Sequence, residues 1–314
     1  MLKSSLGQRH DARQPRSPWA TLMTLTFLVP TLWTAVSAER STVLNVQVRP
    51  QIANGVELRV LPIGDSITFG AQSTHGNGYR GELHDLLVQR GNKVNFVGGL
   101  ATGSMADNSH EGHRAFVIDQ ISNSSTVGLH AAANIVLLHA GTNDMKNEVD
   151  PPNGPTRLKS LIDIIFENSP EAVVFVCQII PAGPNKYRDA LPRIDTFNAA
   201  IPNLVSEYVS SGKKVFMVSM NKAVSTKDLA DNLHPNDIGY TKMANEYYAA
   251  IEEADARDWI SAPGQWESDR SATELAEDLN SAGMKSLAFT QFGLTCVTIF
   301  LISILERIFR YEPT

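Results

Sequence analysis

The chain has 314 residues, of which 43% are hydrophobic and 19% charged, and its formal net charge is -6. These proportions are typical of a globular protein with a sizeable core and exclude a disordered or low-complexity chain. The acidic balance, without a basic stripe, argues against nucleic acid as a partner. The two cysteines, Cys177 and Cys296, fall in segments of different kinds, a strand-like run and an apolar tail, so no disulfide is expected.

The first 38 residues have the pattern of a secretory signal peptide. Basic residues precede an apolar run from about Trp19 to Trp33, and small residues follow it. Val36 and Ala38 occupy the third-last and last positions of a cleavage site, which predicts cleavage after Ala38. An uncleaved anchor is the alternative, but Pro30 and the shortness of the run argue against it.

A second apolar run lies near the C-terminus, where no charged residue falls between Lys285 and Glu306. A helix over residues 286–305, rising about 1.5 Å per residue, could just cross a bilayer core. The sequence therefore predicts an extracellular or lumenal domain, a linker over residues 259–285, a transmembrane helix over residues 286–305 and a cytosolic tail over residues 306–314. A lipid-anchor signal and an amphipathic helix docked on the domain are the alternatives.

The middle of the chain alternates between strand-like and helix-like segments after an exposed lead-in over residues 39–55. The strand-like runs are Val56–Ile63, Val94–Val97, Asn134–His139, Ala172–Ile179 and Lys214–Met220. The helix-like runs are about Tyr79–Arg90, Thr156–Asn168, Arg193–Ser210 and Asp237–Asp255. Nearly apolar strands that alternate with helices predict one α/β domain, residues 56–258, with a parallel sheet covered on both faces.

Three polar motifs are expected at the carboxyl rim of this sheet, where ligands bind in α/β proteins. Ser66 follows the first strand, Asn143 follows a later one, and Asp231 and His234 come just before the last helix. Each has a plainer reading: Ser66 or Asn143 as a turn or capping residue, His234 as a structural histidine, and Asp231 as a solvated acid. Their convergence on one rim favours catalysis over these separate readings.

The motifs resemble sequence blocks of the SGNH hydrolases, the GDSL-type esterase superfamily. The matching segments are Gly64-Asp65-Ser66-Ile67-Thr68, Gly141-Thr142-Asn143-Asp144 and Asp231-Asn232-Leu233-His234-Pro235. His110-Glu111-Gly112-His113 resembles the second block as it is written in family 3 carbohydrate esterases, which are acetylxylan esterase-like enzymes. That family usually has Ser-Gly after this histidine, where the present chain has Arg114-Ala115.

The resemblance spans roughly residues 56–251 and implies a flavodoxin-like three-layer α/β/α fold that hydrolyses esters without a metal or cofactor. Ser66 would attack the ester carbonyl, His234 would take its proton and Asp231 would orient the imidazole. The N–H groups of Ser66 and Gly112 and the side-chain amide of Asn143 would form the oxyanion hole.

The sequence therefore favours a secretory-pathway serine esterase that removes acetyl or other short acyl groups from carbohydrate, with acetylated xylan as the substrate class that the resemblance implies. A GDSL lipase, lysophospholipase or thioesterase for longer acyl chains is the first alternative. A non-catalytic carbohydrate-binding homologue is the second. The sequon Asn123-Ser124-Ser125 is consistent with an exported glycoprotein.

Overall fold

A computed structural model describes residues 50–265, and seven strands form the central sheet of this part. They are β1 (Leu58–Gly64), β2 (Val94–Phe96), β3 (Leu100–Ala101), β4 (Ser109–Gly112), β5 (Ile135–His139), β6 (Val173–Cys177) and β7 (Val215–Val218). The order is β3-β4-β1-β5-β6-β7; β2 pairs with the beginning of β1 and β4 with its end. All pairs are parallel except that of β3 with β4, so the sheet is mixed and not wholly parallel.

Residues 50–265 contain ten α-helices, eight in the connections between strands and two after β7. They are α1 (Ser66–Phe69), α2 (Tyr79–Gln89), α3 (Ile118–Ser124), α4 (Thr126–Leu129), α5 (Thr142–Lys146), α6 (Gly154–Asn168), α7 (Pro184–Tyr187), α8 (Leu191–Ser210), α9 (Met220–Ala223) and α10 (Asp237–Ala256). The four long helices, α2, α6, α8 and α10, coincide with the four helix-like runs of the sequence.

Helices cover both faces of the sheet, as the sequence predicts for an α/β domain. Side chains alternate between the faces along a strand, so Leu58 and Val60 of β1 enter one core and Leu61 and Ile63 enter the other. Buried residues of α2 and α10 complete the first core, and buried residues of α6 and α8 complete the second. The result is a helical layer on either side of a mostly parallel sheet.

Strands β3 and β4 have no counterpart among the predicted strands. β4 consists of Ser-His-Glu-Gly, which has neither an apolar run nor an alternating pattern, yet His110 is fully buried and Glu111 is 1% exposed. Both side chains make hydrogen bonds inside the domain. Hydrogen bonds of this kind make burial of polar residues possible, and no apolar run or alternating pattern marks such a strand in the sequence.

Packed residues extend at both ends beyond the predicted domain of residues 56–258. Ile52 is fully buried in the core, and Ile260 is 8% exposed. Trp259 packs on Phe216 with ring centroids 4.8 Å apart. The signal peptide (residues 1–38), most of the lead-in and linker, the transmembrane helix (residues 286–305) and the tail lie outside the described residues. Within residues 50–265, no helix is both long and apolar enough to cross a membrane.

Candidate active site

The candidate nucleophile, Ser66, lies where β1 turns into the short helix α1. Asp65 caps that helix, because its carboxylate accepts the N–H of Ile67 at 2.9 Å. Ser66 is the first helical residue, so its own N–H has no acceptor within the helix. Its side chain is 8% exposed. The strand-to-helix turn thus presents the hydroxyl at the carboxyl rim of the sheet.

His234 lies beside this hydroxyl, although 168 positions separate the two residues. Its Nε2 is 2.9 Å from Ser66 Oγ, and its Nδ1 is 2.8 Å from Asp231 Oδ2. The other carboxylate oxygen of Asp231 accepts the N–H groups of Leu233 (3.1 Å) and His234 (2.8 Å), which closes a tight loop. Asn232 fits this loop with a left-handed backbone, φ 71°.

The hydrogen bonds of the loop favour the charged form of Asp231. Partial burial of the carboxyl raises its pKa, but the N–H and ring of His234 and the N–H of Leu233 outweigh that effect and hold the pKa of Asp231 below its usual value. Asp231 is therefore ionised at neutral pH and can orient the imidazole through Nδ1.

Asn143 lies in α5, directly after β5, and is 2% exposed. Its side-chain Nδ2 donates a hydrogen bond to the carbonyl of Phe116 at 2.9 Å. The carboxylate of Asp144 accepts the N–H of Ile118 at 3.1 Å and pairs with Arg157 at 2.8 Å. These contacts attach the segment after β4 to the segment after β5, which brings two of the predicted motifs together.

Gly112 lies at the end of β4, opposite Gly64 of β1, and packs against α1. Its N–H donates to His110 Nδ1 at 2.8 Å. His110 Nε2 is 2.6 Å from the hydroxyl of Thr102, which in turn donates to the Phe69 carbonyl at 3.2 Å. In this structure, therefore, the Gly112 N–H is bound to His110. The Ser66 N–H, at the start of α1, and the second hydrogen of Asn143 Nδ2 are not used by the hydrogen bonds described above.

Arg80 is a buried residue near the site that the sequence analysis did not single out. It is 0% exposed, and its guanidinium donates to carbonyl oxygens of Thr68 (3.1 Å) and Phe69 (3.1 Å) in α1. Further bonds reach carbonyls of Gly76, Thr102 and Asn108 in neighbouring loops. Burial lowers the pKa of Arg80 to about 10. A single arginine in a helical segment gives no sequence signal for such a role.

Two surface pockets are formed partly by the loops that follow α1 and α5. One of about 280 Å³ is lined partly by Ser73, His75 and Asn77 after α1 and by Asp237 and Tyr240 at the start of α10. The other, of about 310 Å³, lies between the Pro151–Pro152 segment and the first turns of α8. Neither lining includes Ser66 or His234.

A hydrogen-bonded serine, histidine and aspartate at the carboxyl rim of such a sheet is the arrangement of serine hydrolases. Residues 63–242 match the GDSL-like lipase/acylhydrolase family. The family 3 carbohydrate esterase of Clostridium thermocellum is 32% identical, with a TM-score of 0.57 over 64% of this chain and 99% of that one. The chain therefore belongs to the GDSL-like lipase/acylhydrolase family, whose members are carboxylic ester hydrolases.

The chain is similar to two further proteins. A family 3 carbohydrate esterase of Talaromyces cellulolyticus shares the fold at 21% identity, with a TM-score of 0.55 over 64% of this chain and 99% of that one. A multidomain esterase of Ruminococcus flavefaciens is 27% identical over 249 residues. That match covers 70% of the present chain and 32% of the relative, so the chain spans about a third of this larger protein.

Proposed function

We propose that the protein is a serine esterase that removes acetyl or similarly short acyl groups from carbohydrate. The observation that carries the proposal is the line of hydrogen bonds from Ser66 Oγ through the ring of His234 to Asp231. Similarity to the family 3 carbohydrate esterase of Clostridium thermocellum supports the carbohydrate part of the substrate.

The geometry accounts for both halves of the reaction. As Ser66 Oγ attacks the ester carbonyl carbon, its proton passes to His234 Nε2, and Asp231 stabilises the resulting imidazolium. The imidazolium then gives the proton to the leaving alcohol oxygen, which leaves an acyl group on Ser66. Water then gives a proton to the same ring and attacks the acyl carbon; the C–Oγ bond breaks, the imidazolium returns the proton to Ser66 Oγ, and the carboxylic acid is released.

We assign two donors to the oxyanion that forms in each tetrahedral intermediate. The N–H of Ser66 opens α1, and one of the two Asn143 Nδ2 hydrogens remains after the bond to Phe116. Gly112 would become a third donor only if its N–H turned away from His110. Removing one such donor typically costs about 3 kcal/mol of transition-state stabilisation, roughly a 100-fold loss of rate.

The test is the activity of Ser66→Ala on a chromogenic acetate. We expect kcat to fall by about 10⁴-fold or more, because the covalent step is lost. Ser160→Ala is a matched control, since Ser160 is exposed and its hydroxyl bonds to the carbonyl of Thr156 in its own helix. Activity retained in Ser66→Ala would refute the assignment of the nucleophile.

The alternatives are separated by the acyl chain and by a covalent probe. Acetyl esters of xylo-oligosaccharides should be hydrolysed faster than octanoyl esters of the same alcohols. A strong preference for octanoyl esters would favour the lipase or thioesterase reading. A folded protein that resisted a fluorophosphonate probe for reactive serines would favour a non-catalytic binding protein.

A further inference from the structure

A second pair of a carboxylate and a histidine, Glu111 and His113, lies next to the candidate active site. Oε2 of Glu111 is 2.9 Å from Nε2 of His113. Oε1 accepts the backbone N–H groups of Gly99 (2.6 Å) and Gly128 (2.8 Å). Glu111 is 1% exposed, and a buried carboxylate requires such donors. The fully bonded carboxylate is thus a fixed anchor for the His113 ring.

The His113 ring packs in turn on the ring of Phe116. The two rings are nearly parallel, with an interplanar angle of 12° and centroids 5.3 Å apart. The backbone supports this stack, because the Phe116 N–H donates to the His113 carbonyl at 3.3 Å. The His113 N–H donates to the carbonyl of Gly64 at 2.9 Å, two positions before the nucleophile. Residues 113–116 are therefore held at both ends.

The carbonyl of Phe116 is the acceptor for Asn143 Nδ2, at 2.9 Å. An amide nitrogen carries two hydrogens in the plane of the group. Holding one hydrogen on Phe116 orients that plane and therefore sets the direction of the other hydrogen. The contacts thus run without a gap from the buried carboxylate of Glu111, through His113 and Phe116, to the amide of Asn143.

We propose that Glu111 and His113 are a positioning pair that aims the Asn143 amide at the developing oxyanion and takes no part in proton transfer. The inference rests on the proposed function, in which Asn143 stabilises that oxyanion. Proton transfer belongs to His234, whose Nε2 contacts Ser66 Oγ, whereas His113 Nε2 is bound to Glu111. Preorganised donors act on the transition state, so the pair contributes to kcat and not to substrate affinity.

A double-mutant cycle tests this role. His113→Phe keeps a ring to stack on Phe116 but loses the bond to Glu111. With a chromogenic acetate, we expect about a 10-fold lower kcat and a KM within about twofold of wild type. In an Asn143→Ala background, the same substitution should lower kcat by less than about twofold, because the group that it positions is gone.

An equal loss of kcat in both backgrounds, or a change confined to KM, would overturn the inference. Thermal unfolding checks the fold, and His113→Gln completes the cycle if the phenylalanine variant does not fold. His84→Phe is the matched control: this partly buried histidine lies 3.3 Å from Asp85 on α2, and its replacement should leave kcat unchanged. The outcome is separate from that of Ser66→Ala, whose retained activity would refute the proposed function itself.

Discussion

Three buried polar side chains near the nucleophile, those of Arg80, Glu111 and His110, make hydrogen bonds with backbone groups of the surrounding loops. Arg80 holds carbonyls of α1 and of the loops beside it, and Glu111 holds backbone N–H groups of Gly99 and Gly128. His110 accepts from Gly112 through Nδ1, so its Nε2 carries the proton and donates to Thr102. The hydrogen bonds of these buried side chains fix the conformation of loops that have few apolar residues of their own.

His110 should make the folded protein sensitive to acid. Burial, with the charges of Arg80 and His113, lowers the pKa of His110 to about 3, from 6.5 in an unfolded chain. Between these values the unfolded chain binds a proton that the folded protein does not, so stability falls as the pH falls. We expect this group to remove up to about 1.4 kcal/mol of unfolding free energy per pH unit below pH 6.

Urea denaturation at pH 7 and pH 5 measures this effect. The loss of unfolding free energy between the two values should be smaller in His110→Gln than in the wild type. His130→Gln, a substitution at an exposed histidine, should leave the loss unchanged. The same loss in all three proteins would show that His110 does not control the acid response.

The contact between β4 and α1 joins two secondary-structure elements at the site. A Cβ atom on Gly112 would lie 2.4 Å from the backbone N of Phe69 and 2.7 Å from the carbonyl carbon of Thr68. Both atoms belong to the short helix that begins with Ser66. β4 and α1 can therefore approach this closely only because glycine has no side chain at position 112.

Gly112→Ala should therefore displace α1 and with it Ser66. Because a misplacement of about 1 Å can cost about 100-fold in rate, we expect kcat on a chromogenic acetate to fall by one to two orders of magnitude. Gly81→Ala is the control, since the atoms nearest to its Cβ would belong to the side chain of Asn77, the closest at 3.1 Å. Wild-type kcat in a folded Gly112→Ala protein would contradict this account of the contact.

Across the described part of the chain, residues after α10 contribute to the main domain. Asn134 is 2% exposed, and its side-chain amide donates to the carbonyl of Ser261 at 2.7 Å. Ile260 is buried, and Trp259 covers Phe216. These contacts lie beyond residue 258, the end of the domain that the sequence predicts.

A chain over residues 50–258 should thus be less stable than one over residues 50–265. Losing the buried side chain of Ile260 and the cover of Trp259 should cost roughly 2–4 kcal/mol of unfolding free energy. Urea denaturation of the two chains measures the difference. Equal midpoints and slopes would mean that residues 259–265 add nothing to the stability of the domain.

The amino-acid sequence alone was enough to predict the α/β class, the four long helices and the order of the motifs. Strands buried on both faces must be apolar at nearly every position, and long amphipathic helices repeat every 3.6 residues, so both leave local patterns. The motif blocks around Ser66, Asn143 and His234 were recognised for a different reason: they resemble sequence blocks of a known superfamily.

Only the tertiary structure decided which polar groups meet. The pairing of β4 with β1 and the contact of Phe116 with Asn143 both depend on partners from other segments of the chain. A polar residue can be buried when its partner arrives from elsewhere in the fold, and no local periodicity records that partner. For the same reason, the anchoring of residues 259–264 on the domain became visible only once the chain was folded.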